Sequence, residues 1–128
     1  MYNDDWVRPM TILLDAAVPE RGPLHIRIHV DTQINVPAAE ARQRVTQFVH
    51  RQLSSQMHGG PPVLVLRERA VWRVPIHLTF PSVGDVGQVG ELEVDVETGT
   101  LDVNETVLRK LEENAEALAR RSAAATTR

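Results

Sequence analysis

Three short stretches of this chain alternate apolar and polar residues, and this alternation limits the chain to folds that contain a half-buried β-sheet. The stretches are residues 24–30, 71–80 and 91–96. Successive side chains of a strand point to opposite faces, so each stretch would place its apolar side chains on one face and its polar side chains on the other. Continuous apolar runs at residues 12–14 and 63–66 predict two further strands.

Two other segments repeat apolar residues at the spacing of an α-helix. The first begins at Pro37, a residue favoured in the first helical turn, and we expect residues 59–62 (Gly-Gly-Pro-Pro) to end it. The second follows Asn104, whose side chain can cap a helix, and is expected to end near Arg121. The apolar stripe of this C-terminal helix consists of Val107, Leu108, Leu111, Ala115 and Leu118.

These elements predict an α+β fold in the order β-β-α-β-β-β-α. Because short turns separate the strand pairs, we expect a twisted antiparallel sheet of about four or five strands, packed against one long helix and a C-terminal helix. The 128 residues suit one domain, which we place at residues 10–121, between a flexible arm at 1–9 and a disordered tail at 122–128. Its core should include Phe48, Trp72 and Ile76.

Composition excludes several classes of function. The chain has no cysteine, which rules out disulfides and metal sites with thiolate ligands. Lys and Arg number 14 against 17 Asp and Glu, so there is no broad basic face for nucleic acid. No apolar run is as long as a membrane span, and residues 1–9 lack the apolar centre of a signal peptide. We therefore expect a cytoplasmic protein without a nucleic-acid or membrane partner.

The polar face of the predicted sheet is the candidate site with the most chemistry. Its residues are His25, His29, Arg73, His77, Glu91 and Asp95. Three imidazoles and a carboxylate could form a zinc site, but His25 and His29 lie about 13 Å apart if they share a strand. We therefore predict opposite charges paired across strands, with no bound metal or other cofactor. A pH-sensitive patch is the alternative use of the same histidines.

The sequence offers no recognisable catalytic pattern. Residues 84–90 are rich in glycine but match neither G-x-G-x-x-G nor a Walker sequence, and they lead into a predicted strand. We expect them to form a connection rather than a phosphate site. Ser54, Ser55 and Ser82 lack the strand–turn–helix context of a nucleophile elbow. We predict that the chain is not an enzyme.

A family resemblance covers residues 37 to about 101, roughly half of the chain. Trp72, Arg73 and Val74 lie on one predicted strand, and residues 93–99, Glu-Val-Asp-Val-Glu-Thr-Gly, form the next strand and its turn. This arrangement resembles the bacterial PepSY domain, in which a helix pairs with a short antiparallel sheet and the last strand ends in an Asp-x-x-Thr-Gly turn. The resemblance implies a small bacterial domain. Members are usually exported, and some are thought to restrain peptidases. A cystatin-like sheet wrapped on a helix describes the architecture equally well.

These observations favour a non-enzymatic protein-interaction or regulatory module, with a homodimer as one form of it. The stripe of the C-terminal helix is the candidate partner interface, because an isolated helix of this length needs a surface to pack on. Its own sheet, a second copy of the chain or another protein could supply that surface. Two alternatives stay open: a small-molecule or metal-binding domain, and an antitoxin-like protein that binds a partner with its C-terminal helix. A binding module should expose an apolar patch, whereas a ligand domain should contain a closed pocket with convergent polar groups.

Overall fold

The computed structural model describes residues 12–14 and 18–126, which form an α+β fold of six strands and two helices. The elements are, in chain order, β1 (Ile12–Leu14), α1 (Ala38–Gln52), β2 (Met57–Gly59), β3 (Val63–Leu66), β4 (Ala70–Phe80), β5 (Gly84–Asp95), β6 (Leu101–Asp102) and α2 (Glu105–Thr126). The predicted fold class is confirmed, with six strands where about four or five were expected.

All six strands join one mixed sheet, in the order β1-β3-β4-β5-β6, and β2 pairs with β4 beyond the end of β3. β4 and β5 form a long antiparallel hairpin, whose register places Trp72 opposite Val94 and Val74 opposite Leu92. β1 runs parallel to β3, so the sheet is not antiparallel throughout as predicted. Parallel neighbours need a crossover connection, and the chain between β1 and β3 provides one that contains α1.

A break between β2 and β3 explains how a proline fits inside the central strand. β2 ends at Gly59 and β3 begins at Val63, so residues 60–62 lie opposite Pro75 of β4. The main-chain N–H of Gly60 donates to the carbonyl of Pro75 at 2.7 Å. Proline has no N–H to offer, and the interruption of the ladder beside it means that no regular strand partner requires one.

The core lies between the apolar face of the sheet and the two helices. Val45 of α1 is fully buried together with Trp72 and Ile76 of β4. The indole N–H of Trp72 donates to the carbonyl of Val36 at 2.7 Å, which satisfies its one polar atom inside the core. Phe48, which was expected beside these residues, is half-buried and packs against the core from its edge.

α2 packs over β5, where glycines allow the helix to approach the sheet. Leu111, of which only 2% is exposed, lies 2.5 Å from the position that a Cβ on Gly90 would take. About two helical turns further along α2, Leu118 lies over Gly87. Val107, Ala115 and Leu118 are half-buried and pack against the core, so this part of the predicted stripe packs within its own chain; Leu108 is also half-buried.

Several predicted boundaries need correction. α1 ends at Gln52, ahead of the glycines that were expected to stop it, and residues 57–59 form β2 instead of helix. β5 begins at Gly84, so the predicted glycine-rich connection is mostly the first half of a hairpin strand. A two-residue strand, β6, follows the turn after β5.

At the chain ends, α2 continues to Thr126, so the tail that was expected to be disordered from residue 122 is helical as far as that residue. The predicted cap is present, because the Asn104 side-chain oxygen accepts the N–H of Val107 at 2.8 Å. The arm predicted at residues 1–9 lies outside the described residues, as do residues 127–128.

The strand predicted at residues 24–30 is wrong as a strand of the chain's own sheet. These residues, named here the alternating segment, are exposed and have no strand partner among the described residues. Alternation specifies which side chains share a face, but a strand also needs a neighbouring edge for its hydrogen bonds. Within the described part of the chain this segment pairs with no strand edge, so one strand rather than two precedes α1.

Candidate functional site

The polar face of the sheet carries a network of ion pairs between β4 and β5. Arg73 binds the carboxylates of Glu91, at 3.4 Å, and Glu93, at 3.2 Å. Arg67, which directly follows β3, donates to both oxygens of Glu93. The β4–β5 register places Arg73 opposite Glu93, so the strand pairing itself produces the contact. This is the cross-strand pairing of opposite charges that the alternation predicts.

Glu93 is the centre of this network. Burial by itself would raise the pKa of Glu93, but the hydrogen bonds and positive charges of Arg67 and Arg73 outweigh burial and hold its pKa below the ordinary value. At neutral pH the carboxylate is therefore ionised and accepts from both guanidinium groups at once.

Asp95 ends β5 and organises the turn that follows. Its Oδ1 accepts the main-chain N–H groups of Glu97, at 2.8 Å, and Thr98, at 3.0 Å. Gly99 takes a φ of 77° there, a value that favours glycine. The hydrogen bonds from Thr98 and Glu97 lower the pKa of Asp95, and Arg69, at 3.0 Å, lowers it further. The Asp-x-x-Thr-Gly sequence is thus used to build a turn.

The three histidines that were assigned to the polar face do not all lie on it. His77 lies on the polar face of β4, but His25 and His29 belong to the alternating segment, where the His29 ring lies 2.7 Å from a carboxylate oxygen of Asp31. The two were expected on the sheet because their segment was expected to be a strand of it. Of the six predicted site residues, the sheet face carries Arg73, His77, Glu91 and Asp95.

Sequence reasoning missed His58, which lies beside His77. The β2–β4 register sets the two histidines opposite each other, and their rings stack with centroids 5.9 Å apart. Asp85 of β5 contacts His77 Nδ1 at 3.0 Å, and the Thr79 hydroxyl lies 3.3 Å from His58 Nδ1. β2 is too short to show alternation, so no pattern marked His58 as a sheet residue. Within the described residues, no group of three or more His, Asp or Glu side chains could hold a metal ion.

A cleft of about 740 Å³ opens on the same face, between the β3–β4 turn and β6. Its walls include Arg67, Arg69, Val71, Glu93, Asp95 and Asp102. The two arginines already bind Glu93 and Asp95, so much of the charge in the cleft is used in pairs within the chain. This is an open groove rather than the closed pocket with convergent polar groups that a ligand domain should contain.

Exposed apolar side chains are concentrated ahead of α1. Of the ten exposed large hydrophobic side chains in the described part of the chain, nine lie between residues 12 and 34. The alternating segment contributes Leu24, Ile26, Ile28 and Val30, whose exposed fractions are 54, 54, 51 and 42%. Single exposed apolar residues are common on folded proteins, whereas a row of them is unusual.

Neither helix in the described ranges is sufficiently long and apolar to cross a membrane. No protein-family model, curated protein or solved structure matches this chain. What the protein does must therefore be argued from its own surfaces, because a fold class alone does not specify a function.

Proposed function

We propose that this chain is a non-enzymatic protein-interaction module that binds its partner through the alternating segment. The observation that carries the proposal is the half exposure of the four apolar side chains at residues 24, 26, 28 and 30. Complete burial of a Leu or Ile side chain contributes about 1.5–3 kcal/mol. A partner that covers the exposed half of four such side chains would therefore gain several kcal/mol.

The alternation also indicates how the partner binds. A segment that adds a strand to the edge of another sheet gains affinity from main-chain hydrogen bonds and specificity from alternate side chains. Among the described residues, none makes a main-chain hydrogen bond with the alternating segment, so its N–H and C=O groups are available for such pairing. We infer that it becomes a strand when it binds.

Composition supports the finer parts of the proposal. A net charge of −3 favours a protein partner over nucleic acid or an anionic membrane surface. The absence of cysteine agrees with a cytoplasmic setting. The turn at Asp95 supports the likeness to a small bacterial domain of the PepSY kind, in a regulatory rather than catalytic role.

The two other functions have less support. A small-molecule role would use the cleft beside β6, where Arg67 and Arg69 are engaged by carboxylates of the same chain. An antitoxin-like role would use the α2 stripe, but Leu111 is buried against Gly90 and would have to leave the core. Both roles would break contacts within the folded chain, whereas the alternating segment is exposed.

A photo-crosslinking amino acid at Arg27 tests the proposal in cells that express the full chain. We expect irradiation to give a defined adduct that mass spectrometry assigns to a protein, because Arg27 lies at the centre of the alternating segment. The matched control carries the same group at Gln47, an exposed residue of α1, and should give no such adduct. If Arg27 and Gln47 behave alike, the segment is not a binding surface.

A pair of substitutions separates binding from folding. Ile26→Asp together with Ile28→Asp should abolish the Arg27 adduct and leave the melting temperature nearly unchanged, because both side chains are half exposed. Val83→Asp is the matched control, since Val83 is similarly exposed but lies outside the segment. A large loss of thermal stability in the double variant would mean that these residues pack within their own domain, contrary to the proposal.

A further inference from the structure

We propose that the partner is a second copy of this chain, and that the alternating segment of each copy lies along the outer edge of β5 in the other. This inference rests on the proposed function and names its occupant.

The outer edge of β5 is the acceptor. β4 covers one side of β5 along its whole length, whereas β6 covers only Glu93 and Val94 on the other side. Within the described ranges, no strand pairs with residues 84–92 on that outer side. An extended segment of seven residues spans about 23 Å, which fits within the roughly 30 Å of this edge.

The charges of the two segments are complementary. β5 contains four carboxylates and no basic residue, whereas the alternating segment contains Arg27 and two histidines and no acidic residue. Glu91 and Asp85 are the more accessible carboxylates of β5, with side chains 47% and 54% exposed. Opposite charges on neighbouring strands stabilise their pairing. A docked segment would therefore place Arg27 near Glu91 on the polar face.

The same arrangement accounts for the apolar row. When the basic residues lie on the polar face, alternation turns Leu24, Ile26, Ile28 and Val30 to the face that α2 covers. The half-buried part of the α2 stripe, at Ala115 and Leu118, borders that face of β5. The four apolar side chains of the alternating segment would pack against Ala115 and Leu118, so this part of the α2 stripe would lie in the interface.

The register of the hairpin limits where the exchanged strand can pair. The β4–β5 ladder is irregular after Ile76 and again after Leu78. The Asn114 side-chain amide donates a hydrogen bond to the carbonyl of Val89, so an incoming strand would compete for that carbonyl. Such irregularities protect a sheet edge from pairing. We therefore place Arg27 beside Glu91, where the ladder is regular. The exchanged strand then pairs with the open edge at residues 88–92, and the two residues at one of its ends diverge from β5 where β6 pairs with Glu93 and Val94.

Two other arrangements fit less well. β1 offers three apolar residues, Ile12–Leu14, and no charge to receive Arg27. Antiparallel pairing of two alternating segments centred on Arg27 would set that arginine against its own copy. By contrast, each chain carries both the alternating segment and the outer edge of β5. Two copies can therefore pair each segment with β5 of the other copy and form a closed two-fold dimer.

Engineered disulfides test the assignment cleanly because the chain has no cysteine of its own. Full-length Arg27→Cys and full-length Glu91→Cys, carrying tags of different mass, are mixed and mildly oxidised. We expect a mixed covalent dimer on a non-reducing gel. In the matched control, Ser55→Cys replaces Glu91→Cys and should give little mixed dimer. Ser55 is exposed and precedes β2, which lies on the other side of β4 from β5.

Charge reversal provides an independent measurement. Arg27→Glu and Glu91→Lys should each weaken the dimer by about three- to tenfold in sedimentation equilibrium, and the double variant should recover much of the loss. Equal losses in the single and double variants would show that the two residues do not meet, and would overturn the register. Melting curves confirm that each variant is folded.

The remaining outcomes decide between this inference and the proposed function. An internal disulfide in the Arg27→Cys/Glu91→Cys double variant, or efficient self-coupling of Arg27→Cys alone, would overturn exchange onto β5 of a second copy. A monomer at all concentrations whose photo-crosslinker at Arg27 captures a different protein would overturn the second copy and retain the interaction module. The absence of both dimer and adduct would overturn both.

Discussion

Glu93 accepts hydrogen bonds from two arginines, and its replacement measures what the polar face contributes to stability. Its pKa in the folded chain lies below the ordinary value of 4.5, so the stabilisation is complete above that pH and is lost as pH falls through the lowered pKa. Glu93→Gln should reduce the free energy of unfolding at pH 7 by about 1–2 kcal/mol. The difference from the parent chain should shrink towards pH 3. Urea denaturation at both pH values checks this, and an equal difference at both would contradict it.

Single residues also show why the candidate site was only partly predictable from sequence. Arg73 and Glu91 could be placed on one face because both belong to long alternating stretches with clear periodicity. His58 could not, because β2 has three residues and its place in the sheet depends on pairing with β4. His25 and His29 were placed on the sheet by a correct reading of alternation and an incorrect assumption about their neighbour.

Among the elements, the long ones could be predicted and the short ones could not. β4 and α2 carry enough repeats for their period to stand out. The predicted bounds of β4 and the predicted start of α2 agree closely with the structure, whereas α2 ends five residues later than predicted. β6 has two residues and exists only because the turn at Asp95 returns the chain to β5. The first half of β5 is rich in glycine, which masks a strand pattern and permits the close approach of α2 instead.

The packing of α2 on β5 depends on the missing side chain at Gly90. A Cβ there would stand 2.5 Å from a Leu111 methyl carbon, and Leu111 is too buried to move aside freely. Gly90→Ala should therefore lower the free energy of unfolding by about 1–3 kcal/mol. Leu111→Ala alone should also destabilise by leaving a cavity, but Gly90→Ala in that background should cost much less. Chemical denaturation of the parent chain, the two single variants and the double variant gives the coupling energy between Gly90 and Leu111. Additive losses of stability would show that α2 does not pack on β5 at Gly90.

Across the whole molecule, the sequence predicted a sheet and two helices, but it did not predict that residues 24–30 lie outside the sheet. Apolar periodicity correctly predicted a sheet with one face covered by α1 and a second helix at α2, but it left open whether α2 packs on this sheet or on a partner. The alternation at residues 24–30 is a real feature of the sequence, but it was assigned to the chain's own sheet. Periodicity does not show which sheet edge a strand pairs with. A strand that pairs with a second copy and a strand that pairs within its own chain show the same alternation in the sequence.

Hydrogen exchange over a range of protein concentrations tests this view of the whole molecule. The amides of the alternating segment have no main-chain acceptor among the described residues, so in dilute solution they should exchange at nearly intrinsic rates. As concentration rises and copies exchange strands, protection should grow at residues 24–30 and together with it at Glu91 on β5. Trp72 and Val74 should stay protected throughout, because their strand β4 is paired on both sides. Protection of residues 24–30 that is full at the lowest concentration would instead place their partner strand within the same chain.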